Sequence, residues 1–131
     1  MSIVKIIKNA KVYEPEYLGV KDILILGDKV AAVGENLTAD FGGSVEVEVI
    51  DADGMAAVPG FIDSHEHIMG GGGEGGFHTR TPEAALGDLI RNGVTTVVGC
   101  IGTDGVGRDM PSLLSKAHAL ENEGVTTYVY T

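Results

Sequence analysis

The chain has 131 residues, of which 44% are hydrophobic and 21% charged, enough for an ordinary domain and too short for a complete enzyme barrel of roughly 250 residues. Lysine and arginine total 9 against 19 aspartates and glutamates, a formal charge of -10, so no basic footprint for nucleic acid or an anionic membrane surface is present. The single cysteine, Cys100, cannot form an internal disulfide, and its apolar neighbours mark it as a buried thiol of a reducing compartment, with the cytoplasm as the expected location.

The first residues, Met1-Ser2-Ile3-Val4-Lys5-Ile6-Ile7-Lys8, are interrupted by lysines before a secretory core of about 7–15 apolar residues can form. No run approaches the roughly 18 apolar residues of a membrane-spanning helix, so a soluble protein is expected.

Residues 1–59 read as short strands joined by turns. Val20–Leu26 and Lys29–Val33 flank Gly27-Asp28, a two-residue connection suited to a tight hairpin because glycine accepts positive φ. Ser44–Val49 alternates apolar and polar side chains with period two, the pattern of a strand with one buried and one wetted face. A small, mostly antiparallel sheet is expected.

Residues 60–131 read as strands alternating with helices, with strands at about 60–67, 94–101 and 125–131. Gly93-Val94-Thr95-Thr96-Val97-Val98 returns as Gly124-Val125-Thr126-Thr127-Tyr128-Val129, at the spacing of one helix-plus-strand unit. For the first helix, Thr81 is the expected N-cap, followed by Pro82 and Glu83, with Leu86, Leu89 and Ile90 sharing a face. The second opens near Pro111, aligns Leu113, Leu114, Ala117 and Leu120, and stops at Gly124. Such crossovers return the chain to the same end of a sheet, so the strands run parallel and ligand groups gather in the loops after them, at 65–80 and 101–109.

At the end of the first of these strands, period-two alternation puts Asp63, His65 and His67 on one face. Two imidazoles so spaced can reach one divalent ion at about 2.0–2.1 Å, although a chance His-x-His is simply solvated. Ionisable groups closing an apolar, buried-type strand favour the metal reading. Gly70–Gly76 carries one side-chain charge, Glu74, and suits either a flexible linker or a backbone surface for a cationic ligand, not a phosphate cradle. Thr103 and Asp104 either reach the same mouth or form an ordinary turn. His78 is left open, His118 reads as a plain helix-surface residue, and neither is assigned to metal.

Val58-Pro59-Gly60-Phe61-Ile62-Asp63-Ser64-His65-Glu66-His67 resembles the strand-one signature of the amidohydrolase superfamily, Pro-Gly-x-Ile-Asp-x-His-x-His. Continuing through Gly70–Glu74, Thr79–Glu83, Gly93–Gly99 and Gly102-Thr103-Asp104, it is similar to that superfamily's bacterial isoaspartyl dipeptidase branch. Dihydroorotase-like members usually carry arginine two residues after the second histidine, where this chain has Met69. The resemblance implies an α/β fold, with 60–131 as the start of a (β/α)8 TIM-like barrel and 1–59 as a small antiparallel β-sandwich portion. It also implies a binuclear zinc centre with His65 and His67 on one Zn2+, a β-aspartyl dipeptide substrate and a homo-oligomer.

In the same resemblance, Glu74 holds the substrate α-ammonium, Gly72 and Thr103 lie along the dipeptide, and a metal-activated hydroxide attacks the isopeptide carbonyl. The family's carboxylated lysine, two later histidines and catalytic aspartate match no residue of this chain. An N-terminal portion, without a catalytic residue of its own and inactive alone, is therefore expected. Glu66 departs from the usual apolar outward residue and is expected to reach water at the strand end. The alternatives are an amidohydrolase acting on cyclic amides, of dihydroorotase or hydantoinase kind, and a catalytically silent binding or assembly module.

Overall fold

The computed structural model describes residues 3–130 and divides between Pro59 and Gly60 into two compact units. In the first, β1 (Val4–Tyr13), β2 (Tyr17–Leu26) and β3 (Lys29–Gly34) form an antiparallel meander. The hairpin at Gly27-Asp28 is present, with Gly27 at φ 62°. β4 (Val47–Asp51) and β5 (Ala56–Ala57) both pair parallel with β1.

The sheet is therefore mixed, in the order β3-β2-β1-β4 with β5 further along β1; most of its paired positions are antiparallel, as expected, and the parallel ones all lie along one edge of β1. One ten-residue strand offers the same edge twice, first to β4 at Val4–Lys8 and then to β5 at Lys11–Val12. This also explains why the strand expected over 44–49 lies instead at Val47–Asp51: its partners on β1 begin at Val4. Val49 is 60% exposed, so the alternating pattern does not bury a face here.

β1 is bulged between Ile7 and Ala10, with Asn9 at φ 57°. An extra residue shifts the alternation, and Ile7 packs with Ala10, Val12 and Ala52. The buried Asp22 carboxylate secures the bulge by accepting from Lys8 Nζ at 2.7 Å, Asn9 N at 3.2 Å and Leu37 N at 3.0 Å. The Lys8 hydrogen bond, opposed by burial, holds Asp22 below the usual carboxylate range.

In the second unit β6 (Phe61–Glu66), β7 (Val94–Gly99) and β8 (Thr126–Val129) form a parallel sheet in that order, as expected. α1 (Leu86–Arg91) joins the first two and α2 (Met110–Asn122) the last two. Ile68, Leu89, Val97, Leu113, Ala117, Leu120 and Val125 make the core. Fully burying residues such as Leu113 and Leu120 contributes roughly 1.5–3 kcal/mol each. Asp109 caps α2 by accepting from Ser112 N at 2.9 Å, and Gly124, at φ 99°, follows its C-cap.

Three expectations fail in this unit. α1 starts at Leu86, behind the uncapped Ala85, and not at Pro82; the Thr81 hydroxyl is occupied elsewhere, bonding both the N–H and the carbonyl of Gly71. Ile90 and Leu114 are exposed, because the buried stripes run through Leu89 and through Leu113, Ala117 and Leu120. β6 is not a buried strand: it lies at the sheet edge, with Ile62 68% exposed.

Candidate functional site

The end of β6 does not keep strict alternation. Its pairing with β7 is irregular between Asp63 and Glu66, and His65 N donates to Asp63 Oδ1 at 3.0 Å. The irregularity turns Glu66, expected in water, into a half-buried neighbour of Asp63. Burial first, then the hydrogen bond and charge of Asp63, raise the Glu66 carboxyl above its ordinary range.

His67 stands one residue beyond β6, and its ring meets that of His65 edge to face, with centroids 5.4 Å apart. Cys100, the first residue after β7, joins them: one donor atom from each of His65, His67 and Cys100 lies within 4.8 Å of the others. Cys100 is buried as expected, and desolvation raises its thiol pKa, helped by Glu66 and Asp63. Tyr130 lies beside His65, at 6.3 Å between ring centroids, and donates its hydroxyl to Ser64 O at 3.0 Å. An open cleft of about 570 Å³ is lined by both histidines, Asp63, Glu66 and the Gly70-Gly71 backbone.

Imidazole nitrogens are donors that borderline divalent ions accept, and bonds of about 2.0–2.1 Å from two of them to one tetrahedral ion separate the nitrogens by roughly 3.4 Å. The arrangement fits a cation.

The loop after β6 is built on backbone contacts. Gly72 has φ 72°, and a Cβ there would lie 2.3 Å from the Thr79 carbonyl oxygen, so only glycine lets the two strands of the loop approach. Thr79 Oγ1 accepts from Gly73 N at 3.2 Å and donates to Gly76 O at 2.8 Å. Arg108, 4% exposed, crosses from the loop after β7 and donates to the carbonyls of Met69, Gly71, Gly72 and Thr81 at 2.9–3.3 Å.

Asp104 proves to be a turn residue. Its Oδ1 accepts from Val106 N and Gly107 N, which hold the carboxyl below its usual range, and its Oδ2 lies 2.9 Å from Arg80 Nε. That second oxygen is charge-paired, but the Arg80 N–H is not aligned on it.

Glu74 is exposed, and its carboxyl is lowered by its own backbone N–H and then by the Thr103 hydroxyl, with smaller help from His67 and Arg108. The structure thus brings His65 to His67, and Gly72 sits within the stretch that Arg108 clasps. His78 is exposed in a 3-10 turn at Phe77–Thr79, and His118 pairs with Glu121 on an exposed helix face. Sequence reasoning missed the roles of Arg108 and Tyr130 and read Cys100 only as core. The usable signal was position: Cys100 and Arg108 both follow the C-terminal end of a parallel strand.

No protein-family model matches the chain. Among solved structures it is similar to β-aspartyl dipeptidase of the thermophilic, keratin-degrading Fervidobacterium islandicum AW-1, in complex with a β-Asp-Leu dipeptide. Identity is 52% and TM-score 0.84, over 100% of this chain and 34% of the other. This chain belongs to the amidohydrolase superfamily. Curated relatives of this chain include a dihydroorotase of Staphylococcus epidermidis, 38% identical over 93 residues, and an allantoinase of Escherichia coli, 38% identical over 100. They match 71% and 75% of this chain, which spans 20% of each of them. No helix of the described residues is long and apolar enough to cross a membrane.

Proposed function

We propose that this chain supplies the strand-one metal ligands and the ammonium-binding loop of a zinc-dependent isoaspartyl dipeptidase. In this reading β6–β8 open a (β/α)8 barrel and residues 1–59 contribute to an accessory β-sandwich. The observation that carries the proposal is the edge-to-face His65–His67 pair lining the open cleft, in a chain 52% identical to a β-aspartyl dipeptidase solved with β-Asp-Leu.

His65 and His67 would hold one of two zinc ions, and the pair would supply Lewis acidity at the isopeptide carbonyl and an activated water. The chain's own residues do the recognition. Glu74, kept ionised by its backbone N–H and by Thr103, pairs with the free α-ammonium of the β-aspartyl residue. The Gly72 backbone, free of a Cβ, lies along the dipeptide, and Arg108 holds that backbone in place. No residue here is assigned the transfer of a proton to the leaving amine. Activity is proposed for the complete polypeptide carrying this segment, as a cytoplasmic homo-oligomer without nucleic-acid or membrane partners.

The curated dihydroorotase and allantoinase relatives favour a second reading, hydrolysis of a cyclic amide. Charge separates the two, since a β-aspartyl dipeptide presents an ammonium group to Glu74. In the complete polypeptide Glu74→Gln should lower kcat/KM for β-Asp-Leu by about 10–100-fold, the loss of one charged hydrogen bond. Turnover of dihydroorotate or allantoin in preference to β-Asp-Leu would establish the second reading instead, and absence of bound metal by elemental analysis would support a silent module.

A further inference from the structure

We propose that Cys100 is a positioning residue for His67: its sulfur accepts the imidazole Nδ1–H and so leaves Nε2 as the nitrogen with a free lone pair. The argument follows the one thiol proton. Cys100 N donates to the Glu66 carbonyl oxygen at 2.9 Å, which seats the residue against the end of β6. Its Sγ lies 3.5 Å from that same carbonyl oxygen and 3.5 Å from His67 Nδ1. In this assignment the carbonyl, which can only accept, takes the one S–H alongside the Cys100 N–H, and sulfur meets Nδ1 with a lone pair. Nδ1 is therefore the donor, and a neutral imidazole has only one N–H to give.

Nothing competes for that nitrogen. The residue beside Nδ1 is Gly102, where even a Cβ would stand 3.5 Å away, and among the described residues no other group bonds the His67 ring. The thiol, although within 4.8 Å of both histidines, is accordingly a partner of His67 and not a third ligand. An imidazole free in water favours the opposite tautomer, with its proton on Nε2. Fixing it on Nδ1 raises the fraction of His67 ready to bind a cation. Only this consequence for affinity rests on the proposed function; the tautomer itself is a property of the metal-free chain.

The test is a long-range proton–nitrogen correlation spectrum of the 15N-labelled, metal-free chain at a pH where the imidazole is neutral. His67 is expected with Nδ1 protonated and Nε2 bare, in the wild type and in Cys100→Ser, and with the proton shifted towards Nε2 in Cys100→Ala. A wild-type ring protonated on Nε2 overturns the proposal, as does a Cys100→Ala ring unchanged from wild type. If Cys100→Ala fails to fold, the wild-type and Cys100→Ser spectra decide alone. Titration with Co2+ gives a second readout: about tenfold weaker binding in Cys100→Ala, restored by Cys100→Ser, is expected. A sulfur-to-cobalt charge-transfer band in the wild type would place the thiol in the coordination sphere and overturn the assignment.

Discussion

Arg108 Nη2 lies 2.9 Å from the carbonyl oxygen of Gly71 and ties the loop after β7 to the glycine-rich loop after β6. Because one buried guanidinium serves four carbonyls, removing it leaves those of Met69, Gly72 and Thr81 without a donor among the described residues, while Gly71 O keeps Thr81 N and Oγ1. Arg108→Met should destabilise the unit of residues 60–131 by about 2–4 kcal/mol and accelerate amide exchange across 70–76. Arg108→Lys should recover only part, since an ammonium cannot reproduce the planar fork. Urea unfolding and hydrogen exchange measure both; an unchanged exchange pattern would mean that Thr79 and Thr81 suffice to hold the loop.

Two glycine-to-alanine changes should act in opposite directions. At Gly72 the positive φ and the Thr79 carbonyl both resist a Cβ, so Gly72→Ala is expected to cost about 1–3 kcal/mol. Gly87 lies inside α1 with nothing within 4 Å of an added Cβ, and Gly87→Ala should stabilise by about 0.5–1 kcal/mol. Thermal melts of the two variants, run together, check the sign of each.

Asp22 links stability to pH. Its folded pKa is lowered, chiefly by Lys8, so its contribution is present above the unfolded carboxylate value of about 3.9. That contribution disappears as pH falls through the lower folded value. Asp22→Asn should flatten the acid limb of stability below about pH 4 and cost about 2–3 kcal/mol at neutral pH by stranding Lys8. Urea titrations from pH 7 downward give both quantities.

Thr103→Val removes a hydroxyl that lowers the Glu74 carboxyl. The Glu74 carboxyl should then titrate at a higher pH than in the wild type, closer to an ordinary glutamate. Carbon-13 NMR titration of the side-chain carboxyl reads this directly, and an identical midpoint in both proteins would separate Thr103 from the Glu74 site.

The strand–helix–strand order of residues 60–131 could be read in one dimension because its signals are local: a glycine before each β-branched run, a single apolar stripe on α2, and crossovers with one permitted sense. The histidine pair and the acidic glycine loop were equally visible, since spacing along one strand and the residues just beyond it carry that information. Thr81 shows where local reading ends. Its cap-like sequence context was outweighed by the Gly71 backbone, to which it makes two hydrogen bonds.

Most strands and helices of residues 60–131, and the strand end that gathers imidazole and carboxylate, are legible in the residue order, because propensity and periodicity act over a few residues. Long-range packing set the rest: β4 runs parallel to β1, an irregular pairing draws Glu66 toward Asp63, and Cys100 and Arg108 reach His67 and Gly71. Each of these depends on a partner more than thirty residues away or on an irregular register, and a hydrogen bond across that separation leaves no periodic trace in the chain.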